Sequence, residues 1–166
     1  LKVKNKKVLI WSTHRKTVDL IHKELTFNNI NVEKIIGPTD LDQRKNIKID
    51  FNDKESSLDA IVATPQSCAE SISLHQACTN AIYYDLSYNA AEFLQSLDRI
   101  HRVGGSEVNP VEYDFLHYND SVDIKVYNKV FQKADRQMRI IEEENFTFDL
   151  NDEDESWEEL YNDLEL

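Results

Sequence analysis

A repeated pattern of short apolar runs separated by helix-period segments is the feature that most constrains this chain. The first run, Lys7-Val8-Leu9-Ile10-Trp11, is continuously apolar after its lysine, as a strand buried on both faces requires. Residues 30–36, 58–64, 80–85 and 110–117 repeat the signal and predict four more strands. Between them, residues 14–27 carry Val18, Ile21 and Leu25 at helical spacing, after a possible cap at Ser12-Thr13. Gly37-Pro38 closes the second run, and Thr39 or Asp40 can cap a helix running to about Phe51. Residues 65–71 read as a loop or short helix, 90–103 as a helix without Gly or Pro, and 120–143 as a long helix. Strands alternating with helices predict βαβ units, right-handed crossovers and an α/β fold with a mainly parallel sheet of about five to six strands. Ligands of such sheets lie beyond the carboxyl ends of the strands, where Ser12, Thr64 and Asp85 fall. Each of these could equally do no more than cap the helix that follows.

The densest polar motif is Gln95-Ser96-Leu97-Asp98-Arg99-Ile100-His101-Arg102-Val103-Gly104. On the helix expected over 90–103, ended by Gly104-Gly105, residues Gln95, Arg99 and Arg102 stand at i, i+4 and i+7 and share one face. One amide and two guanidiniums pointing the same way suit a polyphosphate, because the guanidinium is always charged and grips phosphate oxygens in a fork. A solvated polar helix face is the plain alternative. The preceding strand places this helix at the ligand edge of the sheet.

The net charge of −12 is unevenly spread. Residues 142–166 hold twelve Asp or Glu and no Lys or Arg, leaving 19 acidic against 19 basic residues in the rest. The acidity therefore describes a tail and not the body, and does not argue against nucleic acid. Cys68 and Cys78 show no metal-ligand spacing and are expected as small buried residues of a reduced cytoplasmic protein. No apolar run is long enough to span a membrane. The opening Leu1-Lys2-Val3-Lys4-Asn5 looks like the cut end of a longer protein. Gly-x-x-x-x-Gly-Lys-Ser/Thr does not occur, and neither the Asp152-Glu153-Asp154-Glu155 run nor the five histidines form a metal or triad pattern. A self-contained nucleotide hydrolase is not expected.

Several blocks, in order, resemble the C-terminal RecA-like lobe of a superfamily 2, Snf-type DNA helicase or translocase, read here as a bacterial member. Val8-Leu9-Ile10-Trp11-Ser12 resembles motif IV, and Gly37 with Arg44, Ile47 and Phe51 resembles the Gly…Arg…Ile…Phe block. Ile61-Val62-Ala63-Thr64 through Leu74 resembles motif V, and Ala81-Ile82-Tyr83-Tyr84-Asp85 with Asn89 the strand and turn before motif VI. Gln95-x-x-Asp98-Arg99-x-His101-Arg102-Val103-Gly104 resembles motif VI closely, and the resemblance covers about residues 7–143. It departs from the pattern at motif V, where Thr64 is followed by Pro65-Gln66-Ser67-Cys68 instead of a glycine-rich turn, and at Gly105, where a glutamine is usual.

The resemblance implies a RecA-like three-layer fold with a long C-terminal helix, in an ATP-binding, DNA-binding hydrolase. ATP with Mg²⁺ would be held mainly by an N-terminal RecA-like lobe of the same protein. Arg102 would be the leading arginine finger, Arg99 a second phosphate-facing arginine and Gln95 a cleft contact sensing nucleotide. Ser12, His14, Thr64 and Ser67 would contact the DNA backbone, with Arg15 and Lys16 near the track and Ser71 a weaker candidate. This chain by itself would be inactive. Lys125, Lys129, Lys133 and Arg136 form a basic stripe on the last helix, opposite Val126, Val130 and Met138, which should pack on the sheet with Tyr127, Phe131 and Ala134 nearby. Residues 1–143 are read as the lobe and 144–166 as an acidic, partly helical tail that docks back on the protein or competes with DNA. Two other readings stay open: an inactive RecA-like interaction module, and the lobe of an RNA helicase. The motifs do not distinguish strand separation from translocation.

Overall fold

The computed structural model describes residues 6–68, 73–101 and 111–142. In chain order the elements are β1 (Val8–Trp11), α1 (Arg15–Phe27), β2 (Val32–Ile35), α2 (Leu41–Asn52), β3 (Ala60–Ala63), a 3₁₀ turn (Pro65–Cys68), β4 (Asn80–Tyr83), α3 (Ala90–Leu97), β5 (Glu112–Phe115) and α4 (Val122–Glu142). The five strands form one sheet in the order β2-β3-β1-β4-β5, and every neighbouring pair is parallel. Its register sets Val8 beside Ala60 and Asn80, and Trp11 beside Ala63 and Tyr83.

The unbroken apolar runs of β1 and β3 follow from their central places, where all four residues of each are buried. Alternation along β1 sends Leu9 and Trp11 into one core, and Val8 and Ile10 into the other. The Val8 side is covered by α1 through Val18, Ile21 and Leu25. The Trp11 side takes Ile47 and Phe51 of α2, Phe93 of α3, and Val130 and Ala134 of α4. That arrangement is the helix–sheet–helix sandwich expected from the alternation. An aromatic row joins its second half: Tyr83 stacks on Phe115 at 4.8 Å, and Tyr127 on Phe131 at 4.3 Å. The Tyr83 hydroxyl, buried beneath this row, pairs with Ser96 Oγ at 2.6 Å.

Val126, Val130, Phe131 and Ala134 pack as the α4 periodicity predicts. The first of two compact units ends at Asp135, inside α4, so Met138 falls in the second unit. Among the described residues, no helix is long and apolar enough to cross a membrane. The tail from residue 143, Ser71, Arg102 and Gly104 lie outside the described residues.

Candidate nucleotide half-site and nucleic-acid edge

Two places on the lobe carry the sequence-predicted residues, and they share the 3₁₀ turn, where Gln66 Nε2 donates to Glu92 of α3 at 3.1 Å. The first is the row of loops at the carboxyl ends of β1, β3 and β4. Asp85, just past β4, accepts hydrogen bonds from Ser12 Oγ at 2.6 Å, from Thr13 N at 2.6 Å and from Thr13 Oγ1. One carboxylate thus fastens the β1–α1 loop to the next strand. Ser12 is fully buried, its N–H donating to the Ala63 carbonyl and its hydroxyl to Asp85. His14 is exposed as the residue that opens α1, and its side chain makes no capping bond. Arg15 and Lys16, both exposed, follow in the first turn, which contains no acidic residue. Unsatisfied N–H groups, the positive end of the helix dipole and two cations together make this end favourable for an anion.

Thr64 is half-buried at the end of β3, and its Oγ1 is bonded to Ser67 Oγ. Ser67 is buried, and its hydroxyl also reaches the carbonyls of Ile35 and Thr64, each at 3.2 Å. Of the four residues expected at the DNA edge, His14 is exposed and Thr64 half-exposed, while the hydroxyls of Ser12 and Ser67 turn inward. Nothing in the local pattern signals this inward turn, because a serine after a strand suits a cap, a ligand contact or a loop brace equally well.

One residue at this edge was given no role from sequence. Arg44, half-buried in the first turn of α2, donates from Nε to the Thr39 carbonyl at 2.9 Å and from Nη1 to that of Ser67 at 2.7 Å. Its Nη2 donates to the carbonyls of Ile36 at 3.2 Å and Gly37 at 2.8 Å. A signal was present: a cation in the first turn of a helix opposes the dipole and so points to a specific partner.

The second place is the end of α3. The helix begins at the ligand edge, where the Asn89 side chain caps Ala91 N and Glu92 N. It stops at Leu97, short of the 103 expected, and residues 98–100 form a turn. The cause is competition for its last carbonyls. The Arg99 carbonyl accepts from Leu74 N at 2.8 Å, and the Leu97 carbonyl accepts from Tyr113 Oη at 3.1 Å as well as from the N–H groups of Ile100 and His101. Because helices run back against the strands of a parallel sheet, α3 carries its end away from the ligand edge. Leu74, which binds Arg99, also accepts from Cys78, whose thiol donates to the carbonyls of Lys7 and Asn80 at the starts of β1 and β4. The backbone of the motif thus starts at the ligand edge and runs back toward the starts of β1 and β4, while the Arg99 guanidinium acts on Cys68 beyond the end of β3. Gln95 is exposed on α3, Arg99 half-buried in the turn, and Ile100 buried beneath it. The Arg99 and Arg44 guanidiniums both act on the buried Cys68 thiol, favouring its thiolate, but burial outweighs them and pushes that thiol up to about 12. Among the described residues no cluster of three or more His, Cys, Asp or Glu could hold a metal ion.

A single parallel sheet in the order β2-β3-β1-β4-β5, covered by helices on both faces, defines the class as a RecA-like α/β lobe. The fold matches the crystal structure of the C-terminal part of the Fun30 ATPase domain with a TM-score of 0.69 and 23% identity, over 84% of this chain and 48% of that one. The model of the helicase conserved C-terminal domain matches residues 1–104, and the chain belongs to that family. Its relatives are of the Snf2 kind. The chain is 30% identical to the ATP-dependent DNA helicase DDM1 of Arabidopsis thaliana, over 86% of this chain and 18% of that protein. It is 26% identical to the transcription regulatory protein SNF2 of Saccharomyces cerevisiae, over 88% of this chain and 8% of that protein. The chain thus spans less than a fifth of the curated relatives it matches. Both are eukaryotic, and they lend no support to the bacterial source expected from sequence.

Proposed function

We propose that this chain is the second motor lobe of an ATP-dependent DNA translocase or helicase of the Snf2 kind. The observation that carries the reading is the motif on α3 and its turn: Gln95 exposed, Arg99 four residues on, in a sequence with no phosphate-cradling glycine loop. An amide and a forked guanidinium are donors only toward phosphate oxygens and fit a polyphosphate approached from one side. ATP with Mg²⁺, held mainly by an N-terminal lobe, would supply the phosphoryl group that is transferred. Gln95 would contact the nucleotide, Arg99 would orient its phosphates, and Arg102, by its place in the motif, would stabilise charge on the transferring group. The relatives' names, an ATP-dependent DNA helicase among them, support the same reading.

The nucleic-acid role falls to the other edge. His14, with Arg15 and Lys16 beside it, and Thr64 would meet DNA phosphates, which position a protein without reading sequence. Ser12 and Ser67 would serve that surface from beneath, by holding its loops in shape. Residues 1–143 would act as the lobe and 144–166 as its acidic tail.

The test is Arg102→Ala in the full-length protein. DNA-stimulated ATP hydrolysis should fall by about 10³-fold or more, the usual worth of an arginine finger, while ATP binding is retained. Arg102→Lys should be nearly as damaged, since the planar fork is lost with the charge kept. Turnover at the wild-type rate in Arg102→Ala would remove the assignment.

A further inference from the structure

Arg44 does more than the sequence pattern asked of it. Its four carbonyl partners belong to two loops: Ile36, Gly37 and Thr39 follow β2, and Ser67 follows β3. Ile36 is anchored in the core, but a Cβ placed on Gly37 would meet nothing within 4 Å, so no packing contact holds Gly37 itself. The guanidinium does, through the loop's own carbonyls. From Ser67 the connection continues through its hydroxyl to Thr64 Oγ1. We propose that Arg44 is a positioning residue for the nucleic-acid edge, holding the Thr64–Ser67 turn against the Gly37 loop so that Thr64 meets a DNA phosphate at a set place. The inference rests on the reading of that edge as the DNA-binding one. Geometry, more than charge, is what Arg44 supplies: its donors are spread over a rigid plane and bridge both loops, whereas a lysine gathers three donors on one atom.

The experiment measures ATP hydrolysis by the full-length protein against DNA concentration, at several salt concentrations, for Arg44→Lys, Arg44→Ala and Thr64→Ala. Both Arg44 variants should raise the half-saturating DNA concentration about tenfold, as small misplacements of contact groups do. The maximal rate should stay within about twofold, since binding and not turnover is affected. Lysine should rescue nothing. The slope of log affinity against log salt should be unchanged, whereas a direct phosphate contact would cost a slope of about 0.9 in Arg44→Ala and regain it in Arg44→Lys. Wild-type DNA dependence in Arg44→Lys overturns the proposal. So does a variant whose thermal midpoint falls while its half-saturating DNA concentration does not. Should Arg44→Ala fail to fold, Arg44→Lys carries the test alone. If Thr64→Ala weakens DNA dependence and Arg44→Lys does not, the positioning role fails and the DNA edge stands. If neither variant has any effect, the reading of the edge fails and takes this inference with it.

Discussion

Cys68 shows at the scale of one residue how burial and charge compete. It is 1% exposed, and despite two guanidiniums favouring the thiolate its thiol lies at about 12 against an ordinary 9.0. Burial likewise pushes the Cys78 thiol up to about 11 and the Tyr113 hydroxyl up to about 12, and raises Tyr83 further still. In each case the folded protein keeps a proton that the unfolded chain gives up first. Stability from these groups is complete below pH 9 and is lost as pH climbs from the unfolded toward the folded values, at up to about 1.4 kcal/mol per pH unit for each proton. Lys7, whose pKa burial lowers, works against this trend but is a single group against four. Urea midpoints measured from pH 8 to pH 11 should therefore fall progressively above pH 9. A flat profile would show that these side chains are open to solvent. Neither cysteine should react with a maleimide at pH 8 until the protein is unfolded, because the thiolate is the reactive form.

At the scale of elements, α3 is short enough that its ends matter more than its middle. Asn89 satisfies two of the first N–H groups, at 3.1 and 3.3 Å. Asn89→Ala should cost about 1 kcal/mol, read as a lower denaturant midpoint, whereas Asn89→Asp should hold or gain because its charge suits the helix N-terminus. An unchanged midpoint in Asn89→Ala would mean that the cap contributes nothing. The strands were legible from sequence, because β1 and β3 are buried on both faces and carry no polar residue to blur the pattern. The cap of α2 was legible as Thr39 or Asp40, and Asp40 is the one whose side chain accepts from Asp42 N. The end of α1 at Phe27 was legible as well, although no glycine marks it: its last carbonyls are closed by N–H groups of Asn29 and Ile30, with Asn29 at a φ of 57° where glycine is the usual signal. The early stop of α3 was hidden. Its terminators, Leu74 and Tyr113, are distant in sequence, so no local pattern records them. The inward hydroxyls of Ser12 and Ser67 were hidden likewise, since Asp85 and Ile35 come from other strands.

The whole molecule sets a neutral body against an acidic tail. Ten of the 31 Asp and Glu residues lie in 144–166, which holds no Lys or Arg, so removing that segment leaves 21 acidic against 19 basic residues and takes the net charge from −12 to −2. If the lobe meets DNA as proposed, ten extra negative charges on the same chain repel the phosphates that His14, Arg15 and Lys16 would attract. The repulsion is long-ranged only in dilute salt, because the screening length shrinks from about 10 Å at 0.1 M to about 3 Å at 1 M. Full-length protein lacking 144–166 should therefore reach half-saturation at a several-fold lower DNA concentration at low salt, with the gap closing as salt is raised. Titrating DNA into both proteins across that salt range reads the effect directly. A gap that persists at 1 M would mean that the tail acts through its Trp157, Leu160, Tyr161 and Leu164 side chains, since burial of apolar surface is not screened by salt. An absence of any gap would leave the acidic tail without influence on DNA.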